Sequence, residues 1–411
     1  MRVLLLVDTL SIGGLPNYVL ELARALSEAG DDVAVAHGGE APSHLELRGV
    51  SLLPLPCGPA AERSLRDWRP DLVHVHLCSD ARLLAALDAL KLPLLRSFHD
   101  YTSLCLRRGR RRFPGDRCQR ALGTGCLMFG CSVGAPPAGS RWPGLHSLSD
   151  KLAERSVYQR FELALVGSQF MRQTLLLNGF APERVRLVPY FSRFDAQAQG
   201  LLPLAPKPVG IPGRDRPLRL LFAGQAVAGK GLKVLVRALA HLEGDWQLTA
   251  VTAGPDLPAV QEIAQRLGLA PRIDFKHWLP QPALEGLYRA ADLLVVPSVW
   301  DDPGPLVGLE AMSLETPVLG FPVGGIPDYA IEGRTGFLAD AVSVKSLADA
   351  LQRAMASGAE LAELGRQGRR HVAAIHGRRL HIETIRSLYR AACERRQVQT
   401  QTRTPARERV A

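Results

Sequence analysis

The chain has 411 residues, 46% of them hydrophobic, and a formal net charge of +10 at pH 7. That content suits two buried cores, and no apolar run is long enough to cross a bilayer, which excludes a protein spanned by membrane helices. The basic balance asks for an acidic partner: an anionic substrate, the anionic face of a membrane, or nucleic acid.

From the start the pattern is that of a parallel sheet covered by helices. Residues 3–7 are an apolar run that meets Asp8 at once. It is too short for a secretory signal and has no small-residue cleavage site, so it reads as a first buried strand and the protein as cytoplasmic. Gly13 and Gly14 follow in a turn where the lack of a Cβ lets backbone approach a ligand. Residues 18–29 carry Val19, Leu22, Ala23 and Leu26 at helical spacing, with Gly30 as the stop. Further strands are expected at 33–36, 72–75, 94–97, 163–167 and 185–188, so that a first unit, 1–195, closes near Asp195. Two strands end in histidines, in Val73-His-Val-His76 and Arg96-Ser-Phe-His-Asp100. Strand ends of a doubly wound sheet open toward ligand, so these histidines are candidates, with His74 and His76 balanced between site and core.

Residues 105–148 interrupt this rhythm as an Arg- and Cys-rich insertion. Arg107 to Arg120 is strongly basic but has little aromatic interleaving for base stacking, which argues against a nucleic-acid partner. Cys105, Cys118, Cys126 and Cys131 fall in the same stretch. In a cytosolic chain such a group points to metal or reduced thiols before disulfides, yet the spacing lacks Cys-x-x-Cys knuckles, so the four stay candidate ligands and no metal is assigned.

Between 196 and 216 the composition shifts to Gln, Gly and Pro and reads as a linker. A second alternating unit, 217–375, has strands expected at 218–223, 247–252, 273–275, 293–296 and 318–320. Residues 376–396 form a closing helix with a stripe of Ile382, Ile385, Tyr389 and Ala392, and 397–411 are apolar-poor enough to be disordered.

Two motifs in the second unit carry chemistry. Phe222-Ala-Gly-Gln-Ala-Val-Ala-Gly-Lys-Gly231 links a strand to a helix, and Gly224 to Lys230 has the outline of an NTPase phosphate loop. Gly231 stands where that loop needs Ser or Thr for magnesium. Further on, Pro297 to Met312 reads as a strand end, a sharp turn at Gly304 and a helix start, with Pro305 suited to the first helical position. The amides of Leu306 and Val307 would then face an anion, flanked by Asp302 and Glu310 with seven residues between them. Carboxylates in that place hold hydroxyl groups better than further negative charge. A phosphate carrying a sugar meets both demands.

This second motif resembles the donor-site signature of family 4 glycosyltransferases, two Glu separated by seven residues and followed by Ala-Met and a later Pro-Val. Glu310-Ala-Met312 and Thr316-Pro-Val318 match, with Asp302 in place of the first Glu. The stretch Phe222 to Gly231 resembles the family turn Gly-Arg, a few residues, Lys-Gly, with Gln225 where the arginine stands. His99-Asp-Tyr101 is similar to the family histidine beside the donor sugar and acceptor hydroxyl, and Gly13 and Gly14 to a loop lying against donor phosphate or acceptor. Val166 to Met171 and Pro322 to Asp328 are smaller matches.

The resemblance implies an α/β architecture of the GT-B type, two Rossmann-like domains facing a cleft, with the last helix crossing back to the first domain. It implies retaining transfer from a nucleotide-diphosphate sugar, used as co-substrate with no obligatory cofactor, to an acceptor hydroxyl. Donor contacts would come from Gly13, Gly14, Gly224, Gln225, Lys230, Asp302, Gly304, Leu306, Val307 and Glu310, with His99, Lys230 and Asp302 catalytic. The acceptor would be a sugar, a lipid-linked molecule or a small metabolite, and the basic insertion allows a peripheral contact with an anionic inner membrane face. A sugar-nucleotide epimerase or phosphorylase of the same fold, and an NTP-binding regulator, are the competing readings.

Overall fold

The computed structural model describes all residues except 11–13, 40–47, 56–58, 79, 113–115, 135–143 and 404–411. The chain forms two units, Met1–Val188 with His381–Ala411, and Pro189–Leu380.

In the first unit the strands β1 (Arg2–Val7), β2 (Asp32–His37), β3 (Val50–Pro54), β4 (Leu72–Val75), β5 (Leu94–Phe98), β6 (Leu163–Val166) and β7 (Val185–Leu187) form one sheet. Its order is β7-β6-β5-β4-β1-β2-β3, parallel throughout. The chain runs outward in both directions from the β1/β4 pair, so that pair is the switch point where a doubly wound sheet opens at its carboxyl edge. Alternation along the strands sends Leu4, Leu6, Val73, Val75, Phe98 and Val166 into one core. His74 and Ser97, one residue out of step, point to the opposite face. The helix α1 (Gly14–Glu28) buries Val19, Leu22, Ala23 and Leu26 as expected but begins four residues before position 18.

The expected strands form, and β3 joins them unannounced. It is half-buried at the sheet edge and ends in Pro54, so neither a continuous apolar run nor clean alternation marks it. Within the insertion, Arg111–Arg112 pairs antiparallel with Asp116–Arg117, and Val133–Gly134 with Gly144–Leu145. A small core of Leu106, Leu122 and Cys131 holds this part together.

The second unit has a six-stranded parallel sheet of β8 (Leu218–Ala223), β9 (Trp246–Val251), β10 (Ile273–Lys276), β11 (Leu293–Val296), β12 (Val318–Gly320) and β13 (Gly336–Leu338). The order is β10-β9-β8-β11-β12-β13, with its switch point between β8 and β11.

Residues 196–216 correct the linker expectation, because they belong to the second unit. Prolines break regular structure there, but polar anchors replace it. Lys207 Nζ donates to Ala291 O at 2.8 Å and Thr316 Oγ1 at 2.6 Å. Arg216 grips Asp292 through two bonds of 2.6 and 2.7 Å. Burial, with Arg289 nearby, pulls the Lys207 ammonium down to about 7.

The closing helix α2 (Arg378–Arg403) is longer than expected, so 397–403 are helical rather than disordered, and 404–411 lie outside the described residues. From His381 onward it belongs to the first unit, where Ile382, Ile385, Tyr389 and Ala392 are buried. No described helix is long and apolar enough to cross a membrane.

Candidate active site

The turns that follow β8 and β11 interlock at the switch point of the second sheet. After β8 the chain makes a tight turn, Ala228–Lys230, and Gly231 takes φ +73° in the left-handed region. A Cβ on Gly231 would collide with the Pro297 carbonyl at the end of β11, and one on Gly229 would stand 2.5 Å from the Trp300 ring. Val299 N–H donates to Gly229 O at 2.9 Å, which ties the two turns together. Only glycine fits at 231, so the hydroxyl of an NTPase loop has no room and that reading is overturned. Gly231→Ser is expected to cost at least about 2 kcal/mol in urea unfolding without creating magnesium-dependent ATP binding.

Lys230 and Asp302, expected to meet different parts of a donor, meet one another. The Lys230 ammonium is ion-paired with the Asp302 carboxylate and lies 5.8 Å from the Trp300 ring centroid. The backbone of Asp302 is fixed on both sides. Its N–H donates to Trp300 O at 2.9 Å, and its carbonyl accepts from Gly325 N–H at 2.8 Å. Gly324, at φ +55°, passes so close that a Cβ would strike the Asp302 backbone, which gives the stretch Pro322 to Asp328 its place beside the site. Gln225 is exposed and Gly224 half-buried just after β8.

The helix α3 (Leu306–Ser313) starts one residue later than expected, with Pro305 as its cap rather than its first residue. No side chain caps this end, so the amides of Leu306 and Val307 are left for an anion, as an uncapped helix start provides. Gly304 precedes it where a Cβ would stand 2.9 Å from the Tyr190 ring.

Glu310 departs from expectation. It is buried, with Arg193 Nε 2.9 Å from Oε1, Arg193 Nη2 3.0 Å from Oε2, and the Tyr288 hydroxyl donating to Oε2 at 2.8 Å. Burial and the neighbouring Glu310 push the Tyr288 hydroxyl well above its ordinary range, so it stays a donor. A buried carboxylate needs a cation. Nothing in the sequence spacing points to Arg193, 117 residues away.

In the first unit His99 follows β5 and joins a cluster. His99 Nε2 lies 3.0 Å from His76 Nδ1, the rings stack at 5.3 Å, and the Tyr18 ring of α1 lies 5.2 Å from His99. Tyr18 OH reaches His381 Nε2 at 2.8 Å. His74 is bonded at both nitrogens, to Tyr389 OH at 2.7 Å and Ser97 Oγ at 2.8 Å. Burial above all holds His74 at about 3 and both His76 and His99 well below the usual histidine range, so these rings are neutral at neutral pH. His99 therefore offers hydrogen bonds rather than charge. Gly14 opens α1 nearby in sequence, while Gly13 lies outside the described residues.

Residues 210–371 match the family model of group 1 glycosyl transferases, and residues 12–191 that of Glycosyltransferase Family 4. The chain belongs to the family 4 glycosyltransferases. A D-inositol 3-phosphate glycosyltransferase of Kribbella flavida is 27% identical, over 93% of this chain and 91% of the relative. One of Catenulispora acidiphila is 28% identical, again over 93% and 91%. Among solved structures, sucrose-phosphate synthase from Thermosynechococcus elongatus superposes with a TM-score of 0.69 at 20% identity, covering 95% of this chain and 98% of that one. Anabaena HepE in complex with UDP and glucose also gives 0.69, at 15% identity and 95% and 100% coverage. The fold of this glycosyltransferase is GT-B.

The four insertion cysteines of the glycosyltransferase are free thiols. Burial pushes the Cys105 and Cys131 thiols up. Among the described residues no group of three or more His, Cys, Asp or Glu is arranged to hold a metal ion.

Proposed function

We propose that this enzyme is a retaining glycosyltransferase that moves a sugar from a nucleoside-diphosphate sugar to a hydroxyl of an anionic acceptor. The observation that carries this reading is the Lys230–Asp302 pair beside the uncapped start of α3. A diphosphate supplies the anion that both the lysine and the helix amides want, and the sugar it carries supplies hydroxyls for the carboxylate it frees.

As the anomeric bond breaks, negative charge grows on the diphosphate. Lys230 and the amides of Leu306 and Val307 are placed to stabilise that charge. Asp302, released from Lys230, turns to sugar hydroxyls. Glu310 is already oriented by Arg193 and Tyr288, whose two hydrogen bonds both fall on Oε2, while Oε1 is ion-paired with Arg193. Oε1 would accept a ribose hydroxyl. Neutral His99 would hydrogen-bond a donor-sugar or acceptor hydroxyl, and the leaving phosphate oxygen takes the acceptor proton on the same face.

The relatives named as D-inositol 3-phosphate glycosyltransferases, with the net charge of +10, support a phosphorylated polyol as acceptor. UDP is the first base to test, because HepE was solved with it. The reading puts the enzyme in the cytoplasm, in peripheral contact with anionic lipid. A thermal-shift screen of UDP, GDP, ADP and TDP sugars should show one nucleotide class raising the midpoint by several degrees, on the order expected for ligand at 100 times its Kd. Product from that donor and inositol phosphate should keep the anomeric configuration. Absence of any nucleotide-sugar shift, or conversion of the donor without acceptor, would sink the reading, and an inverted product would remove retention from it.

A further inference from the structure

We propose that the apolar residues Leu127, Met128, Val133 and Leu145 of the insertion form a docking surface for an anionic lipid bilayer. The inference deepens the peripheral-contact part of the proposed function by naming the surface. These side chains are 50%, 82%, 41% and 83% exposed. They are not a failed core, since the insertion packs its own from Leu106, Leu122 and Cys131 with Cys126 and Phe129. Val133 and Leu145 sit directly opposite one another across the antiparallel pair, so two exposed aliphatic side chains are held as neighbours. Leu127 and Met128 close the short helix Gly125–Met128, and turn bonds from Gly130 N–H to Leu127 O and Val133 N–H to Gly130 O bind that helix to the strand pair.

The insertion is also strongly basic in sequence. Residues 105–148 hold eight arginines against the single Asp116, and 8 − 1 gives +7 of the whole chain's +10. Arg107 Nη2 donates to Val133 O at 3.0 Å, and the Arg120 guanidinium lies 4.5 Å from the Phe129 ring centroid, next to Met128. Aliphatic side chains with guanidinium groups at their edge suit the boundary between acyl chains and anionic headgroups. RNA fits less well. It would ask for exposed aromatic platforms, and among the described residues of the insertion the exposed large ones are aliphatic while the Arg120 guanidinium lies over the Phe129 ring.

The full chain should be sedimented with phosphatidylcholine vesicles with and without phosphatidylglycerol, at low and high salt. The expected result is binding at least about tenfold tighter to the anionic vesicles, weakened by salt. The double variant Met128→Asp and Leu145→Asp should lose about tenfold of that binding, with its unfolding midpoint and donor-induced thermal shift unchanged. Equal or absent binding to the two vesicle types would overturn the proposal, as would full binding by the variant. A dimer dissolved by the same variant would assign the face to a second copy, and retention of RNA lost in the variant would assign it to RNA. Either outcome also overturns it. Anionic-vesicle binding without any donor shift would leave the surface standing and bring down the donor reading instead.

Discussion

Lys230→Ala is expected to lower kcat about 10²- to 10³-fold, the usual cost of removing one donor that stabilises developing charge. The loss should fall mainly on kcat, because the ammonium matters most once the diphosphate carries its leaving charge. Lys230→Arg should recover part of it. The ion pair adds a second, sharper expectation. In the resting site Asp302 holds Lys230, so donor binding has to break that contact. Asp302→Asn weakens the hold and should tighten donor binding while still lowering kcat, since sugar positioning suffers. The two substitutions should also be non-additive, as residues in direct contact are. Steady-state kinetics of the two single variants and the double variant decide the matter, and a Lys230→Ala enzyme turning over near the wild-type rate removes the lysine from the mechanism.

Acid should destabilise the first unit steeply, and His74 should account for much of the slope. Its imidazole is held at about 3 by burial, with His381 and Arg96 adding to the effect. In the unfolded chain it takes its proton near 6.5. Stability from this group is thus complete above about pH 6.5 and is lost as pH falls toward the folded value, because the unfolded state binds the proton first. Fully expressed, the difference is on the order of 5 kcal/mol. His76 and His99 are shifted the same way and reinforce the trend. His74→Gln keeps a side chain able to reach Tyr389 and Ser97 but cannot titrate. It should flatten the acid limb of the unfolding midpoint in urea between pH 6.5 and 4, and an unchanged acid limb would rule out His74 as its source.

Strands were readable where apolar runs were bounded by proline, as at Leu72–Val75 after Pro70 and Leu293–Val296 before Pro297. Val50–Pro54 was not, because it is half-buried, shows no clean alternation and ends in proline, and neither was Gly336–Leu338, three residues opened by glycine. The stretch 196–216 was misread because proline content reports missing hydrogen-bond donors, not missing contacts, and Lys207 and Arg216 supply the contacts. At the site, Lys230, Asp302 and the start of α3 stood out because local spacing expresses strand-turn-helix geometry. Their mutual pairing did not, nor did Arg193 and Tyr288 on Glu310. Those depend on which turns the sheet order brings side by side, and one-dimensional spacing does not encode it. The same holds for His74, whose partner Tyr389 lies 315 residues away.

That separation bears on how the protein is made. The first unit is assembled from both ends of the described chain, while the second is continuous. During synthesis the sheet carrying His74 and His76 emerges early, but Tyr389 and His381 follow only after the whole second unit has left the ribosome. Until then that sheet lacks α2, and Nδ1 of the buried His74 imidazole lacks its partner Tyr389, with only the Ser97 contact in place. Completion of the histidine cluster is therefore a late event, and a nascent chain halted before His381 would carry a finished second unit beside an unsealed first one.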